Sequence, residues 1–242
     1  MVGCVGVDAG GEAQRESLAS AGVGLEHLLT LDSRTTGSAG IMVDPTGQNI
    51  IAIDLGANEA VTAEQVRRAV PSGGNAVVVS QGETPPEALY GLPADARVIL
   101  NLAPAYLPPT DLPARIEVVI VNEHEAEETS GIRVDPDRPD SAAAVHAWFQ
   151  ARGVPSTIVT LGSAGCWVPG VGHLPAIPVQ AVDAVGAGDC FVGVLAAGLA
   201  RGDSLAESAR RAQAAAALSV TRPGAQAAMP TAAEIEAFLT EL

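Results

Sequence analysis

The feature that most constrains this chain is the exchange of two hydrophobic periods along its length. Runs that are apolar throughout and rich in β-branched residues lie at 76–80, 98–101, 118–121 and 157–161. A strand that faced water on one side would alternate polar and apolar. One that is apolar throughout is covered on both faces, as parallel strands between helices are. Helical segments separate and follow these runs. Residues 122–130 form a short acidic helix, 141–152 a helix closed by Gly153, and 188–200 a strongly apolar helix ended by Gly202. Ser204 with Glu207, and Thr231 with Glu234, have capping-box spacing and open helices at 205–220 and near the C-terminus. Strand and helix in alternation mean an α/β fold with a parallel sheet and right-handed crossovers.

The N-terminal third reads differently. An apolar run at 3–7 precedes a helical pattern at 11–21. Runs at 38–43 and 49–54 flank Asp44-Pro45-Thr46-Gly47, a hairpin signature. Thr62 and Gln65 have capping-box spacing for a helix that stops near Pro71, and 85–90 starts another helix. The proline-rich pieces at 104–113 and 136–139 are too short for linkers, so residues 1–242 read as one domain.

Charge removes several functions. All 13 basic residues are arginine, against 28 acidic ones, and the net charge is −15. Without lysine there is no Walker-type phosphate loop, no Schiff base and no pyridoxal phosphate enzyme. An acidic chain lacks the basic patch that nucleic acid or an anionic membrane requires. Cys4, Cys166 and Cys190 are too far apart for a zinc knuckle or a disulfide framework, which fits a reducing cytoplasm. No uninterrupted apolar stretch reaches membrane-spanning length.

Four polar or glycine clusters fall just after predicted strands, where ligands bind in open parallel sheets. They are Gln81 to Glu83, Asn122 to Glu125, Thr160 to Ser163, and Asp183 to Asp189. Gly186 and Gly188 at the start of the apolar helix leave backbone N–H groups open to an anion, and Asp189 in its first turn is placed to accept a hydroxyl proton. A plain helix start with an acidic first turn accounts for the same residues. Asn122 and Glu125 read as a capping box, or as groups that meet nucleotide phosphates and the water shell of magnesium. Thr160, Gly162, Ser163 and Gly165 read as a strand-ending turn, or as a flat approach for a nucleotide. Glu83 is a loop carboxylate or a sugar contact.

As a set these pieces resemble the ribokinase/phosphofructokinase-B carbohydrate kinase family, and its ribokinase branch in particular. The resemblance is carried by Gly56 and Asn58, Gln81 and Glu83, Asn101 with Pro104 and Ala105, Asn122 with Glu125 and Ala126, Thr160 to Ser163, Val182 and Asp183 with Gly186 to Asp189 and Phe191, residues 214–217, and Val220 to Gln226. It implies a three-layer α/β/α sandwich with a mostly parallel central sheet and a partial β lid around 38–54. The implied activity is ATP-dependent phosphorylation of D-ribose at O5. Asp189 is then the general base, and Gly186, Ala187 and Gly188 form the anion hole. Asn122, Thr160, Leu161, Gly162, Ser163, Ala164, Gly165, Gly188 and Gln213 line ATP. Glu125 serves Mg2+ through water, and Glu83 and Asp189 contact the sugar. A K+ site falls to Asp183, Val185, Ser219, Arg222, Gly224 and Ala228, largely through carbonyl oxygens. Another sugar or nucleoside kinase of the family, or a catalytically impaired nucleotide-binding homologue, would carry many of the same pieces. A cytoplasmic homodimer joined through the lid is the implied assembly, with no nucleic acid or membrane partner.

Three departures stand out. Ala228 replaces a usual serine in the cation loop, and Ala184 a usual threonine beside the anion hole. The family's first strand, with its substrate-binding Asp, and its Gly-Gly-x-x-x-Asn sugar loop have no counterpart ahead of Val2, so the chain is expected to start inside the fold, with most of the sugar clamp missing.

Overall fold

The computed structural model describes residues 1–43, 49–74 and 76–242. The chain contacts divide into two compact units: Met1–Gly74 with Gly82–Asp95 and Asp111–Ala114, and Asn75–Gln81 with Ala96–Thr110 and Arg115–Leu242.

In the first unit, β1 (Val2–Gly6) pairs in parallel with β2 (His27–Leu31) across α1 (Ala9–Ser20). Asp8 caps α1, accepting from Gly11 N at 2.8 Å, and also takes the N–H and hydroxyl of Thr36 at 2.7 and 2.6 Å. β3 (Ser38–Val43) and β4 (Asn49–Asp54) form the expected antiparallel pair, while the Asp44–Gly47 turn lies outside the described residues. α2 (Ala63–Ala69) is capped by Thr62, which accepts from Gln65 N. The capping box is only half made, however. Gln65 is buried, and its Nε2 donates instead to Gly3 O at 2.8 Å and His27 O at 2.9 Å. Carbonyls on both strands need a donor, and the glutamine amide supplies it. The segment at 85–90 is a 3-10 helix, Pro86–Gly91, rather than the start of an α-helix.

The second unit holds the main sheet. Its order is β10-β9-β8-β7-β6-β5, with β5 (Val77–Ser80), β6 (Arg97–Asn101), β7 (Arg115–Asn122) and β8 (Ser156–Thr160) parallel. β9 (Cys166–Val168) and β10 (Gly172–Leu174) extend it antiparallel. The helices are α3 (Glu123–Ser130), α4 (Ala142–Gln150), α5 (Ala187–Arg201), α6 (Leu205–Ser219) and α7 (Ala232–Glu241). Capping boxes are complete at Asn122, Ser204 and Thr231.

Val118 and Ile120 turn to one face of β7 and meet Val192, Leu195 and Leu199 of α5 with Ala209 and Ala212 of α6. Val119 and Val121 turn to the other face and are equally buried, on the side where α3 and α4 pack. Both faces are therefore covered, which explains the continuous apolar runs. No helix among the described residues is long and apolar enough to cross a membrane.

Candidate active site

The parallel strands end side by side in polar residues. Asn122 of β7 is in register with Thr160 of β8, and Asn101 ends the neighbouring β6. Beyond these ends lies a cavity of about 140 Å³, lined by Asn101, Ala103, Ile120, Asn122, Glu125, Thr160, Gly186, Gly188, Asp189 and Val192. The site thus forms where a parallel sheet leaves strand carboxyl ends and helix N-termini together.

α5 supplies the positive pole. Gly186 is its N-cap at φ 77°, and no side chain caps the helix. The first backbone bonds run from Ala187 N to Ala184 O and from Cys190 N to Gly186 O. The N–H groups of Gly188 and Asp189 fall in the first turn, where an α-helix has no acceptor for them. Their location and the helix dipole suit a phosphoryl oxygen. A Cβ on Gly186 would stand 3.1 Å from Cα and Cβ of Ala225, so glycine here serves both the left-handed backbone and the close loop contact.

Asp189 borders the cavity on the same turn. The residue is open on the cavity side, yet the protein packed around its carboxyl desolvates it and raises its pKa. Glu125 is half-buried and its pKa is also raised, first by desolvation, against the opposing N–H of Asn122 at 2.8 Å. Asn122 Oδ1 accepts from Glu125 N at 2.8 Å. The capping box thus fixes one oxygen of each side chain and leaves the amide nitrogen and the second carboxylate oxygen to the cavity they line. Among the described residues no cluster of three or more His, Cys, Asp or Glu could hold a metal. Glu125 and Asp189 both border the cavity, and Glu125 fits Mg2+ that keeps its waters and takes its remaining ligands from phosphate.

The residues expected around a monovalent cation lie on the 183–185 and 219–228 segments, which are joined by the Asp183 side chain and by the N–H groups of Val182 and Asp183, both donating to Val220 O at 2.7 and 3.1 Å. Asp183 accepts from Val185 N at 3.0 Å and Gly224 N at 2.9 Å, and those bonds lower its pKa. With the carboxylate so engaged, carbonyl oxygens are what the loops have to offer a cation. The carbonyl of Ser219 already accepts from Arg222 N at 3.2 Å. The Arg222 guanidinium turns to Glu234 at 2.5 Å. Ala228 is fully buried.

The cavity gathers Asn122, Glu125, Thr160, Gly186, Gly188 and Asp189. It does not include Leu161 to Gly165, Ala187 or Gln213. Gln213 is buried in α6, and its amide is used inside the fold, donating to Leu174 O at 3.2 Å and to Pro175 O and accepting from Cys166 Sγ at 3.8 Å. Glu83 belongs to the first unit. Asn101 is a cavity residue to which the sequence reading gave no role. Its cues were its place among the residues that carry the family resemblance and its position as a polar residue at a strand end, like Asn122 and Thr160.

A model of the pfkB family carbohydrate kinases matches residues 1–232. The chain belongs to this family of sugar phosphotransferases. It is 33% identical over 250 residues to a ribokinase from Haemophilus influenzae, covering 98% of this chain and 80% of the relative. It is 30% identical to a deoxyribokinase from Salmonella typhi, covering 98% and 80%. Arabidopsis thaliana ribokinase, solved with ribose and ATP, superposes with a TM-score of 0.84 at 29% identity, covering 98% of this chain and 80% of that one. The fold is therefore the ribokinase-like α/β fold with a mostly parallel sheet, as the sequence resemblance implied.

Proposed function

We propose that the chain transfers the γ-phosphoryl group of ATP to the 5-hydroxyl of D-ribose. The observation that carries this is the pairing, in one cavity, of the Asp189 carboxyl with the open N–H groups of α5. Asp189 takes the proton from the primary hydroxyl as its oxygen attacks the γ-phosphorus. The oxygen–phosphorus bond to the leaving ADP breaks in the same displacement. The Gly188 and Asp189 N–H groups receive charge on the transferring phosphoryl oxygens, a contribution that needs no reorganisation during the reaction. Asn122 steadies the phosphates. Glu125 would hold Mg2+, which when bound would offset the phosphate charge. The 160–165 turn receives the nucleotide, and Glu83 contacts the sugar.

We also place a K+ site on the carbonyls of the 183–185 and 219–228 loops, where it would brace the anion hole through the Asp183 tie. The β3–β4 pair is the proposed homodimer surface. Three buried, unpaired thiols support a cytoplasmic setting. Similarity to a deoxyribokinase supports 2-deoxyribose as a second acceptor.

The test is sugar-dependent ADP formation with ribose, 2-deoxyribose, other pentoses, hexoses and nucleosides, each in K+ and in Na+. The proposal expects ribose to give the highest kcat/KM and K+ to exceed Na+. A preference for a hexose or a nucleoside overturns the substrate. Mg·ATP binding with no turnover of any acceptor supports the impaired-homologue reading instead.

A further inference from the structure

We propose that His173 is a positioning residue for the 160–165 turn: together with the buried Gln213, which pins the segment beside the turn, it grips the turn from behind and sets its hold on the nucleotide. The inference rests on the nucleotide role given to that turn above.

The grip is visible at two consecutive residues. Gly165 leans directly on the chain leaving β10. A Cβ there would stand 2.1 Å from Leu174 O and 2.6 Å from Ala176 N, so backbone touches backbone and neither moves without the other. The segment it leans on is itself pinned. The buried Gln213 amide donates to the carbonyls of Leu174 and Pro175, and its oxygen accepts from the thiol of Cys166, the residue after Gly165. One side chain on α6 thereby ties β9, the strand that follows the turn, to the end of β10.

The second hold is His173, in β10. Its Nε2 lies 2.6 Å from the carbonyl oxygen of Ala164. A carbonyl only accepts, so Nε2 carries the proton and donates. Ala164 is thus held by the imidazole and Gly165 by the pinned segment. Within the turn, Ala164 N bonds Leu161 O and Gly165 N bonds Gly162 O. Both holds act on the 162–165 backbone beyond the strand end, and Thr160 at that strand end lines the cavity. A turn released from them would spend part of its time in other conformations, and a ligand's apparent affinity falls with the fraction that is competent.

The experiment measures Mg·ATP binding by calorimetry on the full chain and, without nucleotide, amide hydrogen exchange at Ala164 and Gly165. His173→Ala is expected to weaken binding about two- to tenfold, the loss of one neutral hydrogen bond, and to speed exchange at both amides. His173→Gln places an amide donor at similar reach and is expected to restore both. Gln213→Leu keeps the volume without the amide and is expected to act in the same direction as His173→Ala. Because its exchange is read without nucleotide, this variant separates a grip from a direct nucleotide contact. If Gln213→Leu does not fold, the His173 pair decides alone. Faster exchange with unchanged affinity, or neither effect, in His173→Ala overturns the positioning role. A parent chain that binds no Mg·ATP overturns the nucleotide reading itself, a result distinct from a parent and variant that bind equally well.

Discussion

Gly186 and Gly188 sit two residues apart in the same turn, yet alanine at each is expected to move stability in opposite directions while both variants lose activity. At Gly186 the backbone is left-handed, at φ 77°. A residue with a Cβ there costs roughly 1–2 kcal/mol. The added carbon would also press on Cα and Cβ of Ala225 at 3.1 Å, atoms fixed to the backbone that yield less readily than a side-chain tip. At roughly 2–4 °C per kcal/mol for a chain of this size, Gly186→Ala should lower Tm by about 2–8 °C. Gly188 is already helical, and a Cβ there meets nothing within 4 Å. Alanine in a helix is more stable than glycine by roughly 0.5–1 kcal/mol, so Gly188→Ala should raise Tm by about 1–4 °C. Its methyl nevertheless borders the cavity at an open backbone donor, where a phosphoryl oxygen must approach. Thermal melts and sugar-dependent ADP formation, run side by side on parent and both variants, provide the check. Tm shifts of the same sign would refute the backbone argument. Full activity in Gly188→Ala would refute the placement of the anion at this turn.

Asp189→Asn should lower phosphoryl transfer by about 10²–10⁴-fold. It should also stabilise the fold at neutral pH. The folded carboxyl has a raised pKa, so the folded state binds more protons than the unfolded one and loses stability as pH rises from the ordinary aspartate value through the folded value. The gap in Tm between variant and parent should therefore widen with rising pH over that window; a constant gap would count against the desolvated carboxyl. Glu234 has the opposite sign. The N–H of Thr231, Arg222 and the Thr231 hydroxyl lower its pKa to about 2, so its contribution is full above the ordinary value of 4.5 and is lost as pH falls through about 2. Glu234→Gln should flatten that acid limb of the stability profile, and an unchanged limb would refute the assignment.

Much of the fold was legible because it rests on two strong periodic signals. The runs around Val118 and Ile158 are apolar on both faces, and Asn122, Ser204 and Thr231 each stand three residues before a glutamate that completes a capping box. β2 was missed because its threonine and histidine break the apolar run. β9 and β10, at three residues each, are too short to show a period. The orientation of a long amide was also beyond the sequence. Gln65 and Gln213 both turn inward to carbonyls and a thiol that only the tertiary fold brings within their reach. The strand-end logic gathers Asn122, Thr160 and Asp189, but the tie from Asp183 to Gly224, 41 residues on, exists only in the folded chain.

Strands β5 to β10 lie across the sheet in the order in which a ribosome would make them. Each new strand finds its neighbour already present, so no pairing waits for a later strand to be inserted, and the delay that distant contacts impose on folding is small. Asn101, Asn122 and Thr160 can therefore be aligned before residue 186 has been synthesised. At that stage one face of the sheet, with Ile99, Val118, Ile120 and Ile158, is bare, because α5 and α6 cover it and come afterwards. A nascent chain that ends near Leu174 is thus a target for chaperones or aggregation. The docking of α5 ends that exposure, and the same event delivers Gly188 and Asp189 to the cavity. Covering of the sheet face and arrival of the proposed catalytic turn then occur in one step of biosynthesis.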